Sequence, residues 1–209
     1  MKWILPIDEV RPNQTDQVGG KATALAQLTR SGLSVPQTLC VPTGVYRHYL
    51  TVTGLEERIL TELNRKAFDQ MRWEEIWDVA LRIRNMFITT ALPAETETAL
   101  SAAVTEAFGN RPVAVRSSAP GEDNAQASFA GLHDSYLNLR GAAEILTHIR
   151  LVWASLWSDA ALLYRRELGL DARHSTMAVV LQALVAGERS GVYFGVDPND
   201  GSRSVIEAV

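Results

Sequence analysis

The 209-residue chain carries a single cysteine, Cys40, so it holds no internal disulfide and no multi-cysteine metal site. Leu39 and Val41 flank it, which predicts a buried strand thiol rather than a reactive one. No run of lysine and arginine occurs, and the net charge is −4 with both signs dispersed. That distribution gives no electrostatic footing for nucleic acid or for an anionic membrane. No stretch of about 18 consecutive apolar residues is present, so no membrane-spanning helix is expected. The N-terminus lacks an apolar segment behind a basic start and reads as having no signal peptide. These absences together predict a cytoplasmic protein. The four histidines, His48, His133, His148 and His174, lie far apart without zinc-ligand spacing.

What is present is an ordinary apolar fraction of 46%, enough for a substantial core. Helical spacing runs from Gly20 to Arg30 through Ala22, Leu25, Ala26 and Leu28, and Gly32 is placed to stop it. A short buried strand is expected at Thr38 to Val41. Thr43 is a candidate N-cap for a helix carrying Val45, Tyr46, Tyr49 and Leu50. Helices follow over Leu55 to Leu63, through Trp73, Ile76, Trp77, Ala80, Leu81 and Arg84, and from Pro93 to Phe108. The two tryptophans one turn apart read as core. After Arg111 the character changes. Strands are expected at Pro112 to Val115, Ser135 to Leu139 and Met177 to Leu184. Helices are expected over Ala142 to Trp157 and Ala160 to Leu168, and a hairpin from Gly191 to Ala208 turns at Asp197 to Gly201. The fold class predicted is α/β, with a helical N-terminal lobe over 1–110 and a strand-richer second lobe over 111–209. The second lobe is expected to hold a mostly antiparallel sheet.

Three segments could carry chemistry. Val18-Gly19-Gly20-Lys21 offers close backbone approach, helix-start N–H groups and a mobile cation for a phosphate. It is not a Walker A loop, since Thr15 and Ala22 stand where glycine and a hydroxyl residue are needed. Alone the segment is weak, and a solvated lysine at a helix start is its ordinary reading. Arg116 follows Val113-Ala114-Val115 and is expected to emerge where a strand meets a loop. Its guanidinium suits bidentate phosphate binding, and an ion pair with Glu122 or Asp123 explains it equally well. The loop beyond is expected to run from Ser117 to Ser128. Gln182 lies inside an apolar run and must find partners if buried. A base, a ribose or a neighbouring strand would each serve. His133 alone among the histidines lies near these segments and reads as structural or superficial. Ser117 and Ser118 lack the context of a hydrolase nucleophile.

Taken in order, these segments resemble the phosphoenolpyruvate synthase and pyruvate phosphate dikinase superfamily, in its ATP-grasp-like nucleotide-binding domain. Val18 to Lys21 with Ala24-Leu25 resembles the family's opening segment, and Val35-Pro36 through Thr43 its next stretch. Ala114 to Ala119, Glu122-Asp123, Ala127 to Gly131 and Tyr136 to Asn138 form the most specific block. Gln182, Ser190-Gly191-Val192 and Asp197-Pro198 resemble the following pattern. The resemblance implies that Lys21 and Arg116 contact ATP phosphates, that Gly131 and Ser135 line the phosphate site, and that Gln182 sits near the adenosine. Gln37 stands where the family carries glycine, and Leu132-His133 replaces a common glutamine pair. The resemblance further implies ATP and Mg2+ as ligands, with the magnesium-holding groups expected beyond Val209. A swivelling phosphohistidine domain and a pyruvate-binding barrel are expected there too, so these 209 residues are expected to be inactive alone and to bind ATP weakly. Rifampin phosphotransferases, which share Ser128-Phe129-Ala130-Gly131, are the alternative, followed by the dikinase that uses free phosphate. A non-catalytic nucleotide-binding or interaction module is the reading from a different class.

Overall fold

The computed structural model describes residues 2–121, 123, 124, 127, 128, 131–197, 201 and 203–208, with the side chains of 123, 124, 127, 128 and 174 outside that description. Strand β1 (Leu5–Pro6) leads through short 3-10 turns into helix α1 (Thr15–Arg30). Inside α1, Gly19 leaves helical geometry with φ 76° and ψ 170°, so an opening turn precedes the main helix that begins at Gly20. Gly32, at φ 78°, ends it as expected. Strand β2 (Thr38–Val41) follows, then α2 (Thr43–Val52), α3 (Leu55–Leu63), α4 (Trp73–Thr89) and α5 (Ala94–Phe108). Thr43 is not the N-cap of α2. Pro42 holds that position, and the Thr43 hydroxyl instead donates to the Asp16 carbonyl at 3.2 Å.

Strand β3 (Val113–Ser118) starts one residue after the expected Pro112–Val115 and runs three residues beyond it, through Arg116. The segment read as one loop contains the short strands β4 (Asp123–Asn124) and β5 (Ala127–Ser128). Then come β6 (Ser135–Leu139), α6 (Ala142–Ser155), α7 (Asp159–Glu167), β7 (Ala178–Ala183), β8 (Gly191–Phe194) and β9 (Val205–Ala208). Ser158 caps α7 by accepting the Ala161 N–H at 3.1 Å. β8 and β9 pair antiparallel as a hairpin, and Gly201 closes its turn with φ 69°. Pro198, Asn199 and Asp200, named for that turn, lie outside the described residues.

The principal sheet has five strands in the order β1-β2-β7-β3-β6, with every neighbouring pair antiparallel. It takes β1 and β2 from before residue 111 and the other three strands from after it. Its two faces read directly from strand alternation. One face presents Cys40, Ala178 and Val180, covered by Val18, Ala22 and Ala26 of α1. The other presents Leu39, Val41, Val113, Val115, Val179 and Leu181, covered by Tyr46, Ile83, Phe87, Leu100, Ile149 and Trp153 from the later helices. A layer of helix thus lies on each side of one sheet, and the core is continuous across position 111. Cys40 is fully buried, and burial pushes its thiol pKa up, as expected for an inert strand cysteine.

Trp73 and Trp77 are not core. They are 58% and 48% exposed, while Ile76, Val79, Ala80, Ile83 and Phe87 form the buried face of α4. The tryptophans of the core are Trp153 and Trp157. Trp153 lies 5.3 Å from the Tyr49 ring and 5.8 Å from the Tyr46 ring, and Trp157 Nε1 donates to the Tyr46 hydroxyl at 3.0 Å.

Candidate functional site: a helix start held against a central strand

Glycine at 19 is demanded twice. Its positive φ is one a side chain resists, and a Cβ there would stand 2.1 Å from the Ser118 carbonyl oxygen. The backbone of the Val18–Lys21 turn therefore lies directly on β3. Further side-chain hydrogen bonds pin this turn. Ser118 Oγ donates to the Val18 carbonyl at 2.7 Å and accepts the Ala22 N–H at 3.2 Å. Thr23 Oγ1 donates to the Gly19 carbonyl at 2.9 Å. The two segments that sequence alone treats as separate signals thus form one structural unit.

Arg116 sits two residues before Ser118 on the same strand, hence on the same face. It is opposite Ser135 of β6 on one side and Val180 of β7 on the other. It does not stand at a strand end, as expected, but within β3, because the ladder to β7 continues through Ser118. Its Nη1 donates to Gln182 Oε1 at 3.4 Å, and Gln182 Nε2 donates to Thr38 Oγ1 at 3.1 Å. Thr38 Oγ1 in turn donates to the Pro36 carbonyl at 2.7 Å. The buried-amide question raised by Gln182 is answered by side chains of both neighbouring strands. Glu122 and the side chain of Asp123, named as alternative partners of Arg116, lie outside the described residues.

Arg116, Ser135 and Gln182 therefore share the face of the sheet that α1 occupies, and α1 begins beside them with Lys21 in its first turn. Gly131 stands in the turn entering β6, four residues before Ser135, with φ 77° and open space where a Cβ would be. Phe129 and Ala130 of the same motif lie outside the described residues. Next to that turn, the His133 imidazole is pushed down from its usual 6.5 to about 4. Burial is the main cause, followed by the charges of Arg165 and Lys21, while a hydrogen bond with the Ser155 backbone opposes them. Lys21 thus acts on the residue that follows Gly131 and Leu132. Arg165 is itself buried and donates to the Leu156 carbonyl at 2.7 Å, near the C-terminal end of α6.

Sequence reasoning missed Ser118. The available signal was a serine pair directly continuing the apolar run Val113-Ala114-Val115, where a buried hydroxyl must find partners. Its partners, however, are about a hundred positions away in the chain. Among the described residues no group of three or more histidine, cysteine, aspartate or glutamate side chains is arranged to hold a metal ion.

The family model of the pyruvate phosphate dikinase AMP/ATP-binding domain matches residues 15–209. The chain belongs to this family. It is 38% identical over 205 residues to a rifampicin phosphotransferase of Streptomyces sviceus, covering 98% of this chain and 23% of that protein. It is 33% identical over 211 residues to a probable phosphoenolpyruvate synthase of Methanothermobacter thermautotrophicus, covering 99% of this chain and 31% of that protein. Against a phosphoenolpyruvate synthase of Aeropyrum pernix the identity is 34% over 215 residues, covering 100% and 26%. The chain thus spans between about a quarter and a third of the length of these relatives. Membership gives it a nucleotide-binding domain of mixed helix and sheet. No helix among the described residues is long and apolar enough to cross a membrane.

Proposed function

We propose that the chain binds ATP in an ATP-grasp-like manner on the α1 side of its sheet, with Lys21 and Arg116 holding the phosphates. The observation that carries this reading is the seating of the Gly19 backbone on Ser118, which ties the lysine-bearing helix start to the strand bearing Arg116. A guanidinium anchored by its strand gives directional bidentate contact, and the lysine adds a mobile point charge. Gly131 lets the neighbouring backbone approach the phosphates, and Ser135, opposite Arg116, offers a hydroxyl. Gln182 faces the adenosine end and orients Arg116 through its amide oxygen. In phosphoryl transfer such groups work by positioning and by stabilising developing charge. The Mg2+ expected with ATP has no cluster of three or more histidine, cysteine, aspartate or glutamate side chains to hold it among the described residues.

We infer further that these residues are the ATP-binding portion of a larger cytoplasmic phosphotransferase. In it a phosphoryl group passes from ATP to a histidine outside the present sequence and then to pyruvate, giving phosphoenolpyruvate. The identity to phosphoenolpyruvate synthases supports pyruvate as acceptor, and the 38% identity to a rifampicin phosphotransferase keeps that antibiotic as the alternative.

The test is Arg116→Lys, which keeps the charge and removes the fork. ATP affinity should fall by about tenfold, the expected consequence of losing a charge-assisted hydrogen bond. Circular dichroism should be unchanged. Undiminished ATP binding by a folded variant would leave Arg116 a structural partner of Gln182 and remove it from the phosphate site.

A further inference from the structure

Ser118 is fully buried, so it cannot itself touch a nucleotide, yet both hydrogen-bonding capacities of its hydroxyl are used on one short segment. The donor goes to the carbonyl of Val18 and an acceptor lone pair receives the N–H of Ala22. Val18 and Ala22 bracket Gly19, Gly20 and Lys21. Between them the helix is broken at Gly19, the residue in N-cap position for the main part of α1. An N-cap side chain ordinarily accepts a hydrogen bond from the second or third amide of its helix. Gly19 has no side chain, and the Ser118 carbonyl fills the place where one would begin. The missing cap oxygen is delivered instead by a strand 96 positions away, to the third amide, that of Ala22.

We propose that Ser118 is the positioning residue of the phosphate end of the site, fixing Lys21 relative to Arg116 through this borrowed cap. The proposal rests on the reading that Lys21 and Arg116 hold the phosphates. Its physical content is preorganisation. Two cations brought near one another repel, and the break at Gly19 leaves this helix start without an N-cap side chain of its own to help resist that repulsion. The Ser118 hydroxyl references the helix start to β3, the strand that carries Arg116 two residues earlier on the same face. A ligand that engages both cations gains from that fixed geometry, because less ordering remains to be done on binding. A ligand without phosphates gains nothing from it. Ser118 therefore acts selectively on the phosphate-bearing part of the nucleotide, which a merely structural serine would not do.

The experiment compares ATP with adenosine on the wild-type chain and on Ser118→Ala, by titration followed in amide NMR spectra. Loss of the hydroxyl leaves the Ala22 N–H and the Val18 carbonyl without this partner. ATP affinity should fall by about tenfold, and adenosine affinity should stay the same. Unchanged ATP affinity in the variant, or an equal loss for both ligands, would overturn the role of Ser118 while leaving the phosphate reading intact. Wild-type chain that binds ATP no more tightly than adenosine would overturn the phosphate reading itself. A variant that fails to fold is covered by hydrogen exchange on wild type. There the Ala22 amide should be protected like the amides of β3, and exchange as fast as an uncapped, exposed helix start would contradict the clamp.

Discussion

A methyl group at position 19 has nowhere to go. It would need a positive φ that side chains resist and would meet the Ser118 carbonyl at 2.1 Å. Strain and overpacking add at this position, so Gly19→Ala should destabilise the chain by about 3 kcal/mol or more, measured by urea unfolding. A loss below about 0.5 kcal/mol would show that the turn shifts freely. The His133 imidazole makes a second prediction at this scale. Its pKa in the folded chain is depressed to about 4, against its usual 6.5. Between those values the unfolded chain binds the additional proton and the folded chain does not. Its stabilising contribution is therefore full above about pH 6.5 and is lost progressively as the pH falls toward 4. Replacing His133 with glutamine removes this titration. The fall in melting temperature between pH 7 and pH 4.5 should be smaller for His133→Gln than for wild type, and equal falls would show that the ring is solvated.

At the scale of elements, periodicity located most helices and strands because their buried faces are contiguous in sequence. Thr38–Val41, Leu55–Leu63 and Ser135–Leu139 lie where their patterns place them. Helix α4 shows the limit of that signal. Two apolar stripes run along it, one through Trp73, Trp77 and Leu81, the other through Ile76, Ala80, Ile83 and Phe87. Spacing cannot choose between them. The stripe that faces the other helices is the second, and the tryptophans stay at the surface. Trp77→Ala should then change stability by less than about 1 kcal/mol, whereas Trp153→Ala should cost about 3–5 kcal/mol. Comparable losses at both positions would mean that the Trp73 stripe is packed in solution. β3 is longer than its apolar run for a related reason. Arg116 reads as the strand's end and Ser117 and Ser118 as loop residues by composition, but each pairs with β7, and the hydroxyl of Ser118 is satisfied by α1.

At the scale of the whole molecule, the division into helical and strand-rich parts near Arg111 reflects where helices cluster in the chain, not where the core breaks. β2 lies between β1 and β7, so residues near 40 and near 180 share one sheet. Sequence separation hid that pairing, as it hid the bond from Ser118 to Ala22. The candidate residues Lys21, Arg116, Gly131, Ser135 and Gln182 were legible only as members of ordered motifs. What the fold adds is a reason for their juxtaposition. Arg116, Ser135 and Gln182 are lateral or diagonal neighbours on β3, β6 and β7, and the α1 start is docked on β3.

The site proposed for the phosphates of ATP lies on this face, at the start of α1. Amide NMR of the 209-residue chain, titrated with magnesium-ATP to about 10 mM, reaches even millimolar dissociation constants. Saturable shifts are expected at Gly20, Lys21, Arg116, Gly131, Ser135 and Gln182, with α4 and α5 unmoved. Shifts confined to other surfaces, or no saturable shift at these six residues, would contradict that placement of the phosphates.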